Sequence, residues 1–153
     1  MQLSKIIRAD SIWPDLTAKT KPEVIRELAD HIATSTKTLD GHRIAEILME
    51  RERLGSTGIQ DGIAIPHGKV PGLDHIIVAC GRSPAGIDFD AHDQQPTRLF
   101  FVLLAPEFAA GQHLKVLAQL SRLLKDGRFR ERLLSAPDAD EMYRVIIEED
   151  AKI

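Results

Sequence analysis

The sequence predicts a three-layer α/β/α single domain, a central mixed β-sheet flanked by helices. Three observations carry this. Two amphipathic helical segments open the chain, short apolar runs follow without helical period, and helical period returns in the last third. One run, 98–105 (RLFFVLLA), has almost no polar residue after Arg98, so helices must cover both of its faces.

The first predicted helix is 21–35. Thr20 is placed to cap it, Glu23 stands three residues on as a capping box requires, and Pro22 is tolerated in the first turn. Val24, Leu28 and Ile32 recur at spacing four, with Ile25 and Ala29 beside them. A second helix, about 41–53, follows Asp40 and is lined by Ile44, Ile47 and Leu48. Arg51 and Arg53 suit the negative end of its dipole, and Gly55 lies just past its end. Ile63-Ala64-Ile65, 74–80 (DHIIVAC) and 98–105 fit buried strands. The spacing predicts a helix over 112–125 with Leu114, Leu117, Leu120 and Leu124 on one stripe and Gly127 to stop it. A short amphipathic piece over 128–134 follows. The last helix, about 139–149, has Asp138 as cap and Glu141 at the reciprocal position.

No repeat, low-complexity stretch or linker divides the 153 residues, so one domain over 1–153 is expected. Composition narrows the function. Apolar residues make up 43% and charged residues 28%, as in folded soluble domains. With 20 Lys+Arg against 23 Asp+Glu the net charge is −3, which offers no field for a phosphate backbone, and nucleic acid is not an expected partner. No apolar run approaches the roughly 20 residues that span a bilayer, and the N-terminus lacks a secretory h-region, so a cytoplasmic location without membrane insertion is expected. The single cysteine, Cys80, has no partner for an internal disulfide.

The most unusual segment runs from Gly55 to Gly68, GSTGIQDGIAIPHG. Its glycines let backbone N–H groups approach an anion, and Ser56 and Thr57 add donors. Taken alone it is ordinary turn chemistry, and it lacks the Gly-Lys-Ser/Thr ending of a nucleotide-binding loop. His67 changes the weighing. Set between Pro66 and Gly68 at the end of an apolar strand, it would project from a rigid frame. At an unperturbed pKa near 6.5, roughly three-quarters of an imidazole is neutral and nucleophilic at pH 7. His113 falls in the first turn of a predicted helix, where free N–H groups and the dipole favour an anion. His31 reads as partly buried packing and His42 as solvated; His75 opens a strand and His92 sits in a loop. A zinc site from His67, His75 and His113 lacks HExxH or comparable spacing, and a serine hydrolase lacks its Gly-x-Ser-x-Gly elbow, so no metal and no cofactor are expected.

The stretch Ser56-Thr57-Gly58-Ile59 through Gly62-Ile63-Ala64-Ile65-Pro66-His67 resembles the active-site signature of enzyme IIA domains of the bacterial phosphotransferase system, in the fructose/mannitol family. Arg51, Phe89-Asp90-Ala91, Gln95-Pro96, the strand from Leu99 to Pro106, and His113-Leu114 extend the match from Leu3 to about Ile147. The Leu3-Ser4 opening, Glu52-Arg53-Leu54-Gly55 and Gly68-Lys69-Val70 make it most similar to the nitrogen-type, regulatory branch. The resemblance implies that Nε2 of His67 accepts a phosphoryl group from a histidine phosphocarrier protein. It also implies that His113 donates a hydrogen bond to that group and that Arg51 supplies positive charge. The loop of Ser56, Thr57, Gly58 and Gly62 would help bind it. Phosphorylation would control a regulatory target such as a transporter or sensor kinase. The alternatives are transfer from His67 to a sugar-transport enzyme IIB, or a binding module that works without phosphate. Gln60 stands where the family usually has glycine; were a positive φ required there, it would cost about 1 kcal/mol. Thr97 replaces a usual apolar residue.

Overall fold

The computed structural model describes residues 2–152; Met1 and Ile153 lie outside the described residues. After a short 3-10 turn, Leu3–Lys5, come β1 (Ile7–Trp13), α1 (Lys21–Ser35), α2 (Gly41–Arg53), β2 (Ile63–Ala64), β3 (His67–Lys69), β4 (Ile77–Ile87), β5 (Thr97–Ala105), α3 (Ala110–Leu124), α4 (Gly127–Ser135) and α5 (Ala139–Asp150).

The sheet order is β1-β4-β5-β2, and β3 also pairs with β5. β4 and β5 are antiparallel, and the other pairings are parallel, so the sheet is mixed as expected. β2 and β3 lie end to end along one side of β5, opposite Leu99–Phe100 and Leu103–Ala105 respectively. Pro66 falls in the gap, where it has no N–H to give the ladder; its carbonyl accepts from Leu103 N–H at 3.0 Å.

β5 shows why there are three layers. Leu99, Phe101, Leu103 and Ala105 join a core with α3, α4 and α5. Phe100, Val102 and Leu104 point the other way, into a core with α1 and α2. With both faces covered, the strand reads as a continuous apolar run.

The predicted caps form. Thr20 Oγ1 accepts Glu23 N–H at 3.3 Å, and Asp138 Oδ1 accepts Glu141 N–H at 2.9 Å. The reciprocal bonds differ from expectation: the Glu23 carboxylate accepts from Lys19 N–H, and Glu141 pairs with Arg144.

The structure corrects four readings. β1 was not anticipated. Its pairing with β4 shifts register between Ile7 and Ile12, and Arg8 to Asp10 are exposed, so it shows no clean alternation. β4 begins at Ile77 and continues to Ile87 through Gly81, Pro84 and Gly86, residues that read as a stop. The buried stripe of α3 is His113, Val116, Leu120, Leu123 and Leu124; Leu114 faces outward, 67% exposed. Gln60 is not among the positive-φ residues, which in this loop are Gly55, Asp61 at 65° and Gly62 at 75°, so the anticipated strain does not fall on it.

Candidate functional site

His67 is the first residue of β3, beside the end of α2. Gly68 makes that approach possible, since a Cβ there would stand 2.5 Å from Ile47 Cγ2 of α2. The proximity brings Arg51, in the last turn of α2, to the histidine: Arg51 Nε–H donates to His67 Nε2 at 3.3 Å. Arg51 Nη1 is anchored on the Gly55 carbonyl at 2.9 Å.

The other ring nitrogen fixes the tautomer. His67 Nδ1 lies 2.8 Å from the Ile65 carbonyl, which can only accept, so Nδ1 carries the proton and Nε2 the lone pair. The half-buried ring therefore presents an unprotonated nitrogen that accepts from a guanidinium.

His113 completes the group. Its ring meets that of His67 edge-on, with centroids 5.5 Å apart and planes at 84°. It is 8% exposed. Burial holds its pKa below the ordinary value, and His67 and Lys69 push the same way. A neutral ring at pH 7 retains one N–H to donate. α3 begins at Ala110, earlier than expected, and His113 N–H is already bonded to the Ala109 carbonyl at 2.9 Å. What His113 offers is thus its side chain.

His67, His113 and Arg51 line one cavity of about 560 Å³, with Ile47, Glu50, Leu54, Gly68 and Lys69. Sequence reasoning did not name these last five as site residues; the Gly68-Lys69-Val70 run was the available signal for two of them. Leu54 is 86% exposed, as is Phe108, just before α3, at 80%. A larger depression, about 790 Å³, runs along Thr17 to His31 and holds none of the expected site residues.

The loop is placed differently from the expectation. Ser56, Thr57, Gly58 and Gly62 do not line the cavity. Ser56 Oγ donates to the Phe89 carbonyl at 2.7 Å and accepts Gly58 N–H at 3.0 Å. Both the N–H and the hydroxyl of Thr57 donate to the carboxylate of Glu52. The Gly62 carbonyl accepts from Arg98 and Leu99 N–H. These groups build the frame behind His67. His31 stacks on Trp13, His42 and His75 are exposed beside Glu46 and Asp74, and His92 N–H bonds the Gly58 carbonyl.

Residues 5–149 match the family model of the phosphoenolpyruvate-dependent sugar phosphotransferase system, EIIA 2. The chain belongs to this EIIA 2 family. A nitrogen regulatory protein of Bradyrhizobium diazoefficiens is 38% identical over 146 residues, covering 95% of each chain. A fructose-specific EIIA component of Haloferax volcanii is 37% identical over 129 residues, 84% of each. The crystal structure of nitrogen regulatory protein IIA-Ntr from Neisseria meningitidis superposes with a TM-score of 0.87 at 33% identity, over 94% of this chain and 98% of that one. The chain shares the α/β fold of these EIIA neighbours. Among the described residues no helix is long and apolar enough to cross a membrane.

Proposed function

We propose that the protein accepts a phosphoryl group on Nε2 of His67 from a histidine phosphocarrier protein in the cytoplasm, and controls partner proteins according to its phosphorylation state. The observation that carries this is the Nδ1–H bond of His67 to Ile65, which leaves Nε2 unprotonated and facing Arg51. The Nε2 lone pair forms the new N–P bond as the donor's N–P bond breaks and its electron pair returns to the donor nitrogen. The proton stays on Nδ1, where the Ile65 carbonyl stabilises the positive ring.

Arg51, released from Nε2, follows the charge to the phosphoryl oxygens, and His113 donates its N–H to one of them. Such transfer relies on positioning and charge stabilisation, with no covalent help beyond the nucleophile. Ser56, Thr57, Gly58 and Gly62 hold the histidine in place in this reading, and the reaction needs no metal. Exposed Leu54, Phe108 and Leu114 give an approaching carrier apolar ground near the rings. The names of the nitrogen regulatory relatives favour the regulatory output. In this reading the target is a transporter or sensor kinase.

Mixing the protein with phosphorylated carrier should yield an acid-labile, base-stable phosphoprotein, and His67→Ala should abolish it. Labelling that persists in this variant removes His67 from the role. The fructose-specific relative supports a second reading, onward transfer to an enzyme IIB. Incubating the phosphorylated protein with candidate IIB domains separates the two, since only the transport reading expects rapid loss of label.

A further inference from the structure

Behind the cavity lies an ion pair that the chemistry above leaves unused. Glu52 follows Arg51 in the last turn of α2, and its side chain is 1% exposed. Lys21 Nζ, from the start of α1, stands 3.0 Å from Glu52 Oε1 and 4.6 Å above the Phe89 ring. Burying two charges carries a desolvation penalty that their attraction often fails to recover, so an apolar pair would hold the helices together as well. The pair calls for another explanation.

That explanation lies in what else the carboxylate holds. Oε1 accepts Thr57 N–H at 3.0 Å, and Oε2 accepts the Thr57 hydroxyl. The carbonyl of the pinned Thr57 accepts Ile65 N–H at 3.2 Å. The Ile65 carbonyl accepts Nδ1–H of His67 at 2.8 Å. On the other side of the loop, Gly55 N–H bonds the Glu52 carbonyl at 3.1 Å, and the Gly55 carbonyl anchors Arg51, whose Nε–H meets His67 Nε2. Both nitrogens of the ring are therefore held by the segment that Glu52 braces.

We infer that Glu52, charged and oriented by Lys21, is a positioning residue: through Thr57 it fixes the Ile65 carbonyl that keeps the proton on Nδ1 of His67. Which imidazole nitrogen is protonated follows from the hydrogen bond the other makes. When that carbonyl shifts, nothing retains the proton on Nδ1, and a proton on Nε2 blocks the nitrogen that must attack. A carboxylate is needed because one group must accept two donors from Thr57 and face an ammonium at once. The role in transfer rests on His67 being the phosphoryl acceptor; the control of its tautomer does not.

The test uses the full chain, labelled with nitrogen-15, at pH 8. Long-range proton–nitrogen spectra assign the His67 tautomer in wild type, Glu52→Gln, Thr57→Val and Thr57→Ser. Wild type and Thr57→Ser should show Nδ1–H. Glu52→Gln and Thr57→Val should show a mixture with Nε2–H, and their rate of taking phosphoryl from the carrier should fall by about 10-fold or more. Thr57→Val leaves the Lys21–Glu52 pair intact and guards against a Glu52 variant that fails to fold. Pure Nδ1–H in both variants, with lower urea midpoints, would make the pair a stabilising element only and overturn the inference. A wild-type chain that takes no phosphoryl sinks the functional reading separately, because the tautomer is read without it.

Discussion

The His113 ring stands edge-on to that of His67, at 5.5 Å between centroids, inside the protein rather than on its surface. Burial is the main reason its pKa lies below the ordinary value, with the neighbouring His67 and Lys69 adding to the effect. The folded chain thus binds a proton at His113 less readily than the unfolded chain does. The stability this contributes is complete above the unfolded value of about 6.5 and is lost as pH falls through the folded value. Urea unfolding at pH 7.5, 6.5 and 5.5 should show a falling midpoint, with a shallower fall in His113→Gln. Equal slopes in the two proteins would show that another group governs the acid limb.

Arg51 makes two contacts from one guanidinium, to Gly55 and to His67. Lysine keeps the charge but not the planar fork that reaches both. Arg51→Lys should slow phosphoryl acceptance by about 10²-fold, the scale of losing one preorganised charge-stabilising donor. Quenched-flow labelling with phosphorylated carrier gives the rate directly. A rate within threefold of wild type would assign the work to charge alone.

Arg82 is buried, and its guanidinium donates to the carbonyls of Pro14, Leu133, Leu134 and Ala136. Three of these close the C-terminal end of α4. Arg82→Met leaves them without a donor and should cost about 3 kcal/mol. Arg82→Lys, lacking the fork, should recover only part of that in equilibrium denaturation.

Thr97 is fully buried, and among the described residues its hydroxyl finds no hydrogen-bond partner. Valine has nearly the same shape without the unpaired oxygen, so Thr97→Val should stabilise the fold by about 1 kcal/mol. A lower urea midpoint in this variant would reveal a partner for the hydroxyl in solution.

Cys80 is completely buried and its thiol is pushed up to about 12. At pH 8 a native sample should resist alkylation, and any labelling should follow the rate of unfolding.

The sequence carried much of this arrangement. Thr20, Asp40 and Asp138 mark helix starts because a side-chain oxygen must meet a free N–H three or fewer positions on, a rule local to the chain. β5 was legible because burial on both faces leaves only apolar choices. β1 was not, because its irregular pairing removes the alternation that betrays a strand. The wrong stripe on α3 has a similar origin. Four leucines at helical spacing look like a core, yet the helix turns His113 inward and leaves Leu114 to solvent. His67, His113 and Arg51 were named from the chain, and the structure gathers them at one cavity. The Lys21–Glu52–Thr57 bracing was not foreseen. It depends on a contact between residues 31 positions apart, in which charged side chains that usually face water turn inward.

The break at Pro66 has a consequence beyond the site. β2 and β3 form the outer margin of the sheet next to β5, and an uninterrupted margin would offer a row of open N–H and C=O groups to any passing chain. Two pieces of two and three residues, parted by Ile65 and an imino acid, make a poor template for such recruitment. The interruption that turns His67 toward its neighbours also blunts the molecule against fibril growth, so restoring an unbroken strand there would put solubility and reactivity at risk together.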